Sequence, residues 1–523
     1  MLRTQLYANP DGRFVHDIVL ETCRRLPGKI ALVDSSCNRS FTYAEYGELV
    51  ESLARGFVAA GLKPGEVIAI FLPNSWEFAI AYHAATLAGG IPTLLNPAYR
   101  EREIRYQLEN CGAAFLVTDG PLFECVTPGG LPSLRRIFTT RTSSPGTEDF
   151  ATLLKSTSAK LPEPVDSPRE IIAALPYSSG TTGLPKGVML SHYNLVANIY
   201  QLLGPNGAPL SPEDVMLCFL PLYHIYGLTV ALTTSLALGA QLILMPRFDI
   251  KKLSSHVTEH GVSMMPMVPP AINALCQAAE AGCFPKDHKV RWIKSGAAPL
   301  APELARRLRD LTGIPVNQGY GMTEASPVTH VGYLTPPEMN RPASIGQPLA
   351  LTECRVLDLN DKELPSGEPG ELVMRGPQFM VGYWKDPQAT AAVIRDGWYY
   401  SGDIVRTDAD GFYYVLDRLK EMIKYKGFPV APAEVESVLL EHPAVRDCGV
   451  VAKPDANAGE IPCAFVVLRA GHTPCEALDK ELRAFVGDRL AHHKQPREVR
   501  FVETVPRTPS GKILRRELRD TFS

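Results

Sequence analysis

The 523-residue sequence has no C-x-x-C pair among its 11 cysteines, and their number is odd. A disulfide framework and a cysteine-built zinc site are thereby excluded, and the scattered thiols fit a reducing compartment. Charge of neither sign dominates. The chain carries 53 Lys and Arg against 56 Asp and Glu, a formal net charge of -3. Without a positive field, nucleic acid is not an expected partner. No apolar run opens the chain (MLRTQLYANPDGRF), so no signal peptide is read, and RDTFS at the end is neither a peroxisomal nor a prenylation signal. The most membrane-like stretch, 228–245, contains Thr, Ser, Gly and Gln around a turn-like centre; it reads as a buried helix followed by a strand. Repeats and low-complexity segments are lacking too, because the 45 prolines and 41 glycines are spread along the chain. The expectation is a cytoplasmic globular protein with no integral membrane contact. At 45% hydrophobic and 21% charged residues, it is long enough for two or more domains.

Helix-like and strand-like patterns alternate through most of the chain. Residues 41–60 and 76–88 read as helices, 67–72 and 114–118 as strands, and 300–311 as a helix before a strand at Val316. Such alternation predicts an α/β fold, a large N-terminal domain with mostly parallel sheets flanked by helices. A boundary is expected at 417–420, after an edge strand at 411–416. Beyond it lie a helix at 432–440 with an early proline, strands at 448–452 and 464–468, a helix at 475–490 and a strand at 499–505. That is a small α+β module of about a hundred residues, sufficient to fold as a unit.

The most informative string is Tyr177-Ser178-Ser179-Gly180-Thr181-Thr182-Gly183-Leu184-Pro185-Lys186-Gly187. Three glycines let backbone N–H groups converge on an anion, and the hydroxyls and the lysine add donors and charge. Polyphosphate suits such a loop. It is not a Walker A loop, which needs Gly-Lys-Ser/Thr opening a helix; apolar strands at 171–175 and 188–190 point to a hairpin instead.

Further motifs follow in order: Gly319-Tyr320-Gly321-Met322-Thr323-Glu324, Tyr400-Ser401-Gly402-Asp403, Asp417-Arg418-Leu419-Lys420 and Pro509-Ser510-Gly511-Lys512. With this ordered set nearly the whole chain resembles the acyl-adenylate-forming (AMP-binding) superfamily, nearest to the 4-coumarate–CoA ligases and acyl-CoA synthetases. The resemblance implies that Thr181, Thr182 and Lys186 hold the β- and γ-phosphates, with Ser178, Ser179, Gly180 and Gly183 completing the loop. It implies that Glu324 helps bind Mg²⁺, a hard cation suited to carboxylate and phosphate oxygens. Tyr320, between Gly319 and Gly321, would stack on adenine, Thr323 would reach the α-phosphate, and Asp403 would accept from the ribose hydroxyls beside Arg418. By local sequence alone Asp403 reads equally as a turn aspartate and Glu324 as a solvated helix-start residue.

Lys512 is the implied catalytic residue of adenylation, because attack of a carboxylate on the α-phosphorus brings two anions together. For the second half-reaction, relatives rotate the C-terminal domain about a hinge. The division then reads 1–417 for the N-terminal AMP-binding domain, 418–420 for the hinge at Lys420, and 421–523 for a mobile C-terminal domain. Lys424, with Lys426 and Gly427, would serve the coenzyme A step; the alternative for Lys424 is a solvated strand lysine.

The acid would lie among Tyr223, Ser295, Ala297, Ala298, Gly319–Gly321, Ser326, Pro327 and Val328, where small residues leave volume between apolar walls. His224 matches the histidine that gates or contacts the acyl carboxylate in relatives; otherwise it reads as a core histidine. Two positions depart from the 4-coumarate–CoA ligase pattern. Pro429 stands where a functional glutamine is usual and offers neither amide nor N–H, and Ser326 replaces a glycine. The expectation is therefore an ATP-dependent carboxylic acid–CoA ligase that forms an acyl-adenylate and then a thioester. It would use ATP, Mg²⁺ and coenzyme A without a tightly bound prosthetic group. The acid would be hydroxycinnamate-like or a medium-chain fatty acid. Three other readings stand beside it: a stand-alone adenylation enzyme loading a separate phosphopantetheine carrier protein, a luciferase-like oxygenase, and a silent nucleotide-binding protein.

Overall fold

The computed structural model describes residues 10–522 except 143, 156–157, 164–166, 179–183, 205–206, 334–339, 420, 427, 456 and 509–510. The strand Val67–Phe71 shows the logic of the larger part of the molecule. Its five residues, VIAIF, are all buried, the contiguous apolar run required of a parallel strand covered on both faces. It pairs in parallel with Ile91–Leu94 and Phe115–Asp119, and the five-stranded sheet continues in parallel through Arg136–Thr140 to Glu148–Asp149. Burying one such Ile or Phe side chain contributes about 1.5–3 kcal/mol. Against this layer lies the helix Trp76–Leu87, apolar on nearly every side and buried accordingly. Ser75 starts it by accepting the N–H of Phe78 at 3.2 Å.

The second sheet has nine strands. Six run parallel at its centre, in the order Val316–Gly321, Trp292–Ser295, Met264–Met267, Val215–Cys218, Gln241–Leu244 and Ile30–Asp34. Antiparallel strands finish both edges, Arg39–Thr42 on one side and Val328–Val331 with Gln347–Pro348 on the other. Strand 39–42 shortens the helix expected at 41–60 to Tyr43–Ala59. Thr42 leaves the strand as N-cap, accepting the Glu45 N–H at 3.2 Å while Glu45 accepts the Thr42 N–H at 2.7 Å.

Residues 226–244 form a π-helix, Tyr226–Thr233, then the helix Thr234–Leu238 and the strand Gln241–Leu244. The threonine hydroxyls sustain the widened turn: Thr233 donates to the carbonyl of Leu228 at 2.9 Å and Thr234 to that of Thr229 at 2.8 Å. Among the described residues no helix is long and apolar enough to cross a membrane.

An antiparallel sheet of Glu353–Leu357, Gly370–Arg375, Trp398–Thr407, Ile394–Arg395 and Tyr413–Arg418 follows. The edge strand expected at 411–416 begins two residues later and runs to Arg418. The smaller C-terminal part has its own cores, around Ile423, Val435, Leu439, Val450 and Val466 and around Phe465, Val505 and Leu518. Its sheet is built on Val445–Asp455 paired antiparallel with Gly459–Leu468, both longer than expected, and the last strand is the short Glu498–Phe501. Phe428–Val430 lies at the sheet edge, paired with Ile423–Tyr425. An edge strand tolerates the missing N–H of Pro429.

Candidate active site

Ser295, Gly319–Gly321 and the segment after Cys218 all stand at the carboxyl ends of parallel strands of the nine-stranded sheet. That is where α/β sheets open their crevices. The hairpin expected around the glycine-rich string is present at its root: Tyr177–Ser178 pairs antiparallel with Lys186–Ser191, with Ser178 opposite Lys186. Ser179, Gly180, Thr181, Thr182 and Gly183 lie outside the described residues. The Lys186 ammonium stands 3.9 Å from Asp386 and 5.2 Å from the ring centre of Tyr383.

Glu324, 8% exposed, sits in the short 3₁₀ turn Thr323–Ala325. Its Oε1 accepts from the Ser178 hydroxyl at 3.0 Å and from the Tyr383 hydroxyl at 2.9 Å. Both donors use one oxygen, which leaves Oε2 without a donor among the described residues. A buried carboxylate with a free oxygen beside a phosphate-type loop fits a hard divalent cation.

A second knot joins three predicted residues. The Tyr320 hydroxyl donates to Oδ2 of Asp403, and Arg418 Nε reaches Oδ1 at 3.0 Å. Burial, then the Asp403 charge, pushes the Tyr320 phenol far up, so it stays a donor. Asp403 keeps lone pairs for further donors, since a carboxylate offers about four.

The C-terminal part contributes Lys512. The loop carrying it is closed by mutual bonds: the Thr508 N–H donates to the Lys512 carbonyl at 2.8 Å, and the Lys512 N–H to the Thr508 hydroxyl at 3.1 Å. Gly511, at φ +85°, lies against Pro270, where a Cβ would stand 3.2 Å from Cδ. The Lys512 side chain is open to water yet ringed by protein, as in a cleft. Loss of hydration lowers its pKa first, Arg418 lowers it further, and Asp403 and Glu324 oppose both.

His224 is held neutral, its pKa pushed down to about 4 by burial and then by the charge of Lys512. Its Nδ1 accepts the Tyr226 N–H at 3.2 Å. The ring proton therefore sits on Nε2, which is left as a donor. Lys512, His224, Asp403, Arg418, Glu324 and Tyr320 thus share one electrostatic neighbourhood.

The acyl segments are close-packed. A Cβ on Gly296 would stand 2.9 Å from the Tyr226 ring, and one on Gly321 2.0 Å from the Pro327 carbonyl oxygen. Ser295 and Ser326 are fully buried, with hydroxyls that find no partner among the described residues. Ser326 adopts φ +70° and Ala297 φ +69°. The bulk expected from Ser326 is thus accompanied by a left-handed backbone, which accounts for a glycine being usual there. Val328 is fixed by Asn198, which accepts its N–H at 3.0 Å and donates to its carbonyl at 2.7 Å. Tyr223 and Ala298 are half-buried.

Two residues of this region escaped the sequence reading. One is Tyr383, the second donor to Glu324. The other is Lys294, 6% exposed, whose chain runs past Gly319 and whose ammonium meets the Gly332 carbonyl at 3.4 Å. Burial lowers its pKa to about 7. The lone lysine in the apolar run Trp292-Ile293-Lys294 was the available signal. Lys424 and Lys426 are not brought to the cleft: both are exposed, the Lys424 N–H bonded to Glu460 at 2.7 Å and that of Lys426 to the Ala458 carbonyl at 2.9 Å. Lys420 and Gly427 lie outside the described residues.

The profile of the AMP-binding enzyme family matches residues 19–384, and that of the AMP-binding enzyme C-terminal domain matches 434–512. The chain is 37% identical to 4-coumarate–CoA ligase 2 of Solanum tuberosum over 512 residues, covering 97% of this chain and 93% of that protein. Identity to 4-coumarate–CoA ligase 5 of Oryza sativa subsp. japonica is also 37%, over 522 residues, 98% of this chain and 95% of that one. Among solved structures, a benzoate CoA ligase from Burkholderia xenovorans LB400 superposes with a TM-score of 0.87 at 28% identity, covering 97% of this chain and 100% of its own. An anthranilate CoA ligase in complex with anthranoyl-AMP gives 0.87 at 26% identity, with 97% of each chain covered.

Proposed function

The chain belongs to the AMP-binding enzyme family and is an acid–thiol ligase, and from that premise we propose that it joins a hydroxycinnamate-like aryl acid to coenzyme A. The observation that carries the adenylation chemistry is the presence of Lys512, from the C-terminal part, in the same charged neighbourhood as His224, Asp403 and Glu324 of the N-terminal part. In the first step an oxygen of the acid's carboxylate attacks the α-phosphorus of ATP. An acyl–O–P bond forms and pyrophosphate leaves. Lys512 lies between the two anions and offsets the charge that builds on the phosphorus oxygens. The Nε2–H of His224 donates to the acid's carboxylate and orients it. Lys186, with the loop 178–183, holds the β- and γ-phosphates, while Thr323 reaches the α-phosphate. Tyr320 packs on the adenine, and Asp403, aligned by Tyr320 and Arg418, accepts from the ribose. Mg²⁺ bound through the free oxygen of Glu324 would supply charge neutralisation on the phosphates.

In the second step the sulfur of coenzyme A attacks the acyl carbon, the acyl–O bond breaks, and AMP leaves with the thiol proton taken up by solvent. Lys512, with Gly511 against Pro270, occupies the cleft in the first step, and the second step needs another face of the C-terminal part there. The domain 421–523 therefore turns about 418–420 and brings Lys424, Lys426 and Gly427 to the acyl-adenylate. Carrier-protein loading is not favoured, since the full-length relatives are named CoA ligases. The aryl preference is supported by those relatives, by the aromatic residues Tyr223 and Tyr226, and by Lys294, a buried amine able to meet a phenolic oxygen. The test is AMP release with ATP and Mg²⁺ on 4-coumarate and octanoate, each with and without coenzyme A. AMP that requires both acid and coenzyme A, with 4-coumarate preferred, is expected. Preference for octanoate overturns the aryl assignment, and acid-dependent pyrophosphate exchange without thioester overturns the acceptor.

A further inference from the structure

Away from the cleft, we propose that the C-terminal turn of the helix Ile250–Glu259 binds a divalent transition cation of the zinc class through His256, Glu259 and His260. The sequence His256-Val257-Thr258-Glu259-His260 puts the two histidines four residues apart, on one stripe of a helix, with the glutamate between them at the third position. In the folded chain one ligand atom from each of the three lies within 4.8 Å of the others. The Nδ1 of His256 is already 3.4 Å from Oε2 of Glu259, about the separation of two ligands that each sit 2.0–2.1 Å from a tetrahedral ion. The two imidazole rings are neighbours, tilted by 43° with centres 5.4 Å apart.

The imidazole of His256 gives the second, independent observation. Both of its ring nitrogens are buried, and neither has a hydrogen-bond partner among the described residues. Buried imidazole nitrogens are ordinarily satisfied, and ligation of an ion would satisfy one and polarise the other. His260 caps the helix, its N–H bonded to the His256 carbonyl at 3.1 Å. The helix C-terminus adds partial negative charge that favours a cation.

The donor set decides the class. Two imidazoles and one carboxylate suit zinc, cobalt, nickel or copper, whereas magnesium and calcium ask for oxygen throughout. Lys289 runs beside Gly261, its ammonium 3.7 Å from where a Cβ would stand. With a single carboxylate in the set, the two imidazole nitrogens carry most of the affinity.

The test uses the full-length protein after chelator treatment and dialysis, titrated with Zn²⁺ by calorimetry and with Co²⁺ by its visible absorption. One equivalent bound at micromolar concentration is expected, with millimolar Mg²⁺ failing to compete. His256→Ala and His260→Ala should each weaken binding at least tenfold, Glu259→Gln less, and His472→Ala not at all. Unchanged circular dichroism and AMP release would show that the variants are folded. If one of them fails to fold, His256→Gln replaces it, and Co²⁺ spectra of the wild-type chain still report whether imidazole nitrogen is bound. Absence of one-equivalent binding, or binding unaltered in the His256→Ala/His260→Ala double variant, would overturn the site.

Discussion

Gly511 rests against Pro270 so closely that a methyl group added to it would stand 3.2 Å from the ring Cδ, and its φ of +85° lies where only glycine sits without strain. Pro270 is the second residue of the helix Pro269–Glu280 of the N-terminal part, and Gly511 precedes Lys512. On the proposed mechanism, this packing of the Gly511 backbone on the Pro270 ring sets how deeply the lysine enters the cleft. Gly511→Ala should slow pyrophosphate exchange by tenfold or more, since misplacing a catalytic group by about 1 Å costs of order 10²-fold. Thioester formation from a pre-formed acyl-adenylate should change less. Equal losses in both half-reactions would contradict the contact's role.

On the proposed mechanism, Lys512 and His224 set the pH window of adenylation. The Lys512 ammonium is lost as pH rises through a pKa held below the ordinary 10.5. His224 stays neutral until pH falls to about 4. The kcat/KM profile for the acid, which reports the free enzyme, should fall on an alkaline limb below 10.5 and keep its plateau through pH 6. In Lys512→Arg the alkaline limb should move up or vanish. A limb unchanged in that variant would assign it to another group.

Ser326 pays twice in conformation: a left-handed backbone and a buried hydroxyl with no partner among the described residues. Releasing the backbone is worth about 1–2 kcal/mol, and glycine returns about 0.4–1 kcal/mol of that to the unfolded chain. Ser326→Gly should therefore raise stability by about 1 kcal/mol, read as a higher urea midpoint at unchanged slope. A lower midpoint would mean that the hydroxyl is satisfied or that the side chain fills needed volume.

On the proposed aryl reading, Lys294 bears on the choice of acid. With its amine removed in Lys294→Met, discrimination between 4-coumarate and cinnamate in kcat/KM should shrink by about tenfold, the value of one lost hydrogen bond to a charged group. Cinnamate turnover should be nearly preserved. Equal loss on both acids would make Lys294 structural.

Much of the fold could be read in advance because its signals are local. The run at Val67–Phe71, the Ser75 cap before an apolar helix and the paired strands around the glycine-rich string each follow from residues adjacent in the chain. The relationships that build the cleft are long-range. Nothing near Tyr383 announces that its hydroxyl meets Glu324, 59 residues away in sequence, and nothing near Ser326 announces its positive φ. The motif set named Lys512, Asp403, Arg418 and Tyr320, and the folded chain brings these four together. Lys424 and Lys426 stand apart from them, since this arrangement presents Lys512 to the cleft.

The most direct measurement separates the half-reactions in two variants. Pyrophosphate exchange reports adenylation, and conversion of a synthetic acyl-adenylate to thioester reports the second step. Lys512→Ala should lose exchange by about 10²–10³-fold, the size seen when one preorganised donor is removed, and retain most thioester formation; Lys424→Ala should show the reverse. Unimpaired exchange in Lys512→Ala would contradict the assignment of the catalytic cation, and with it the reading of this cleft.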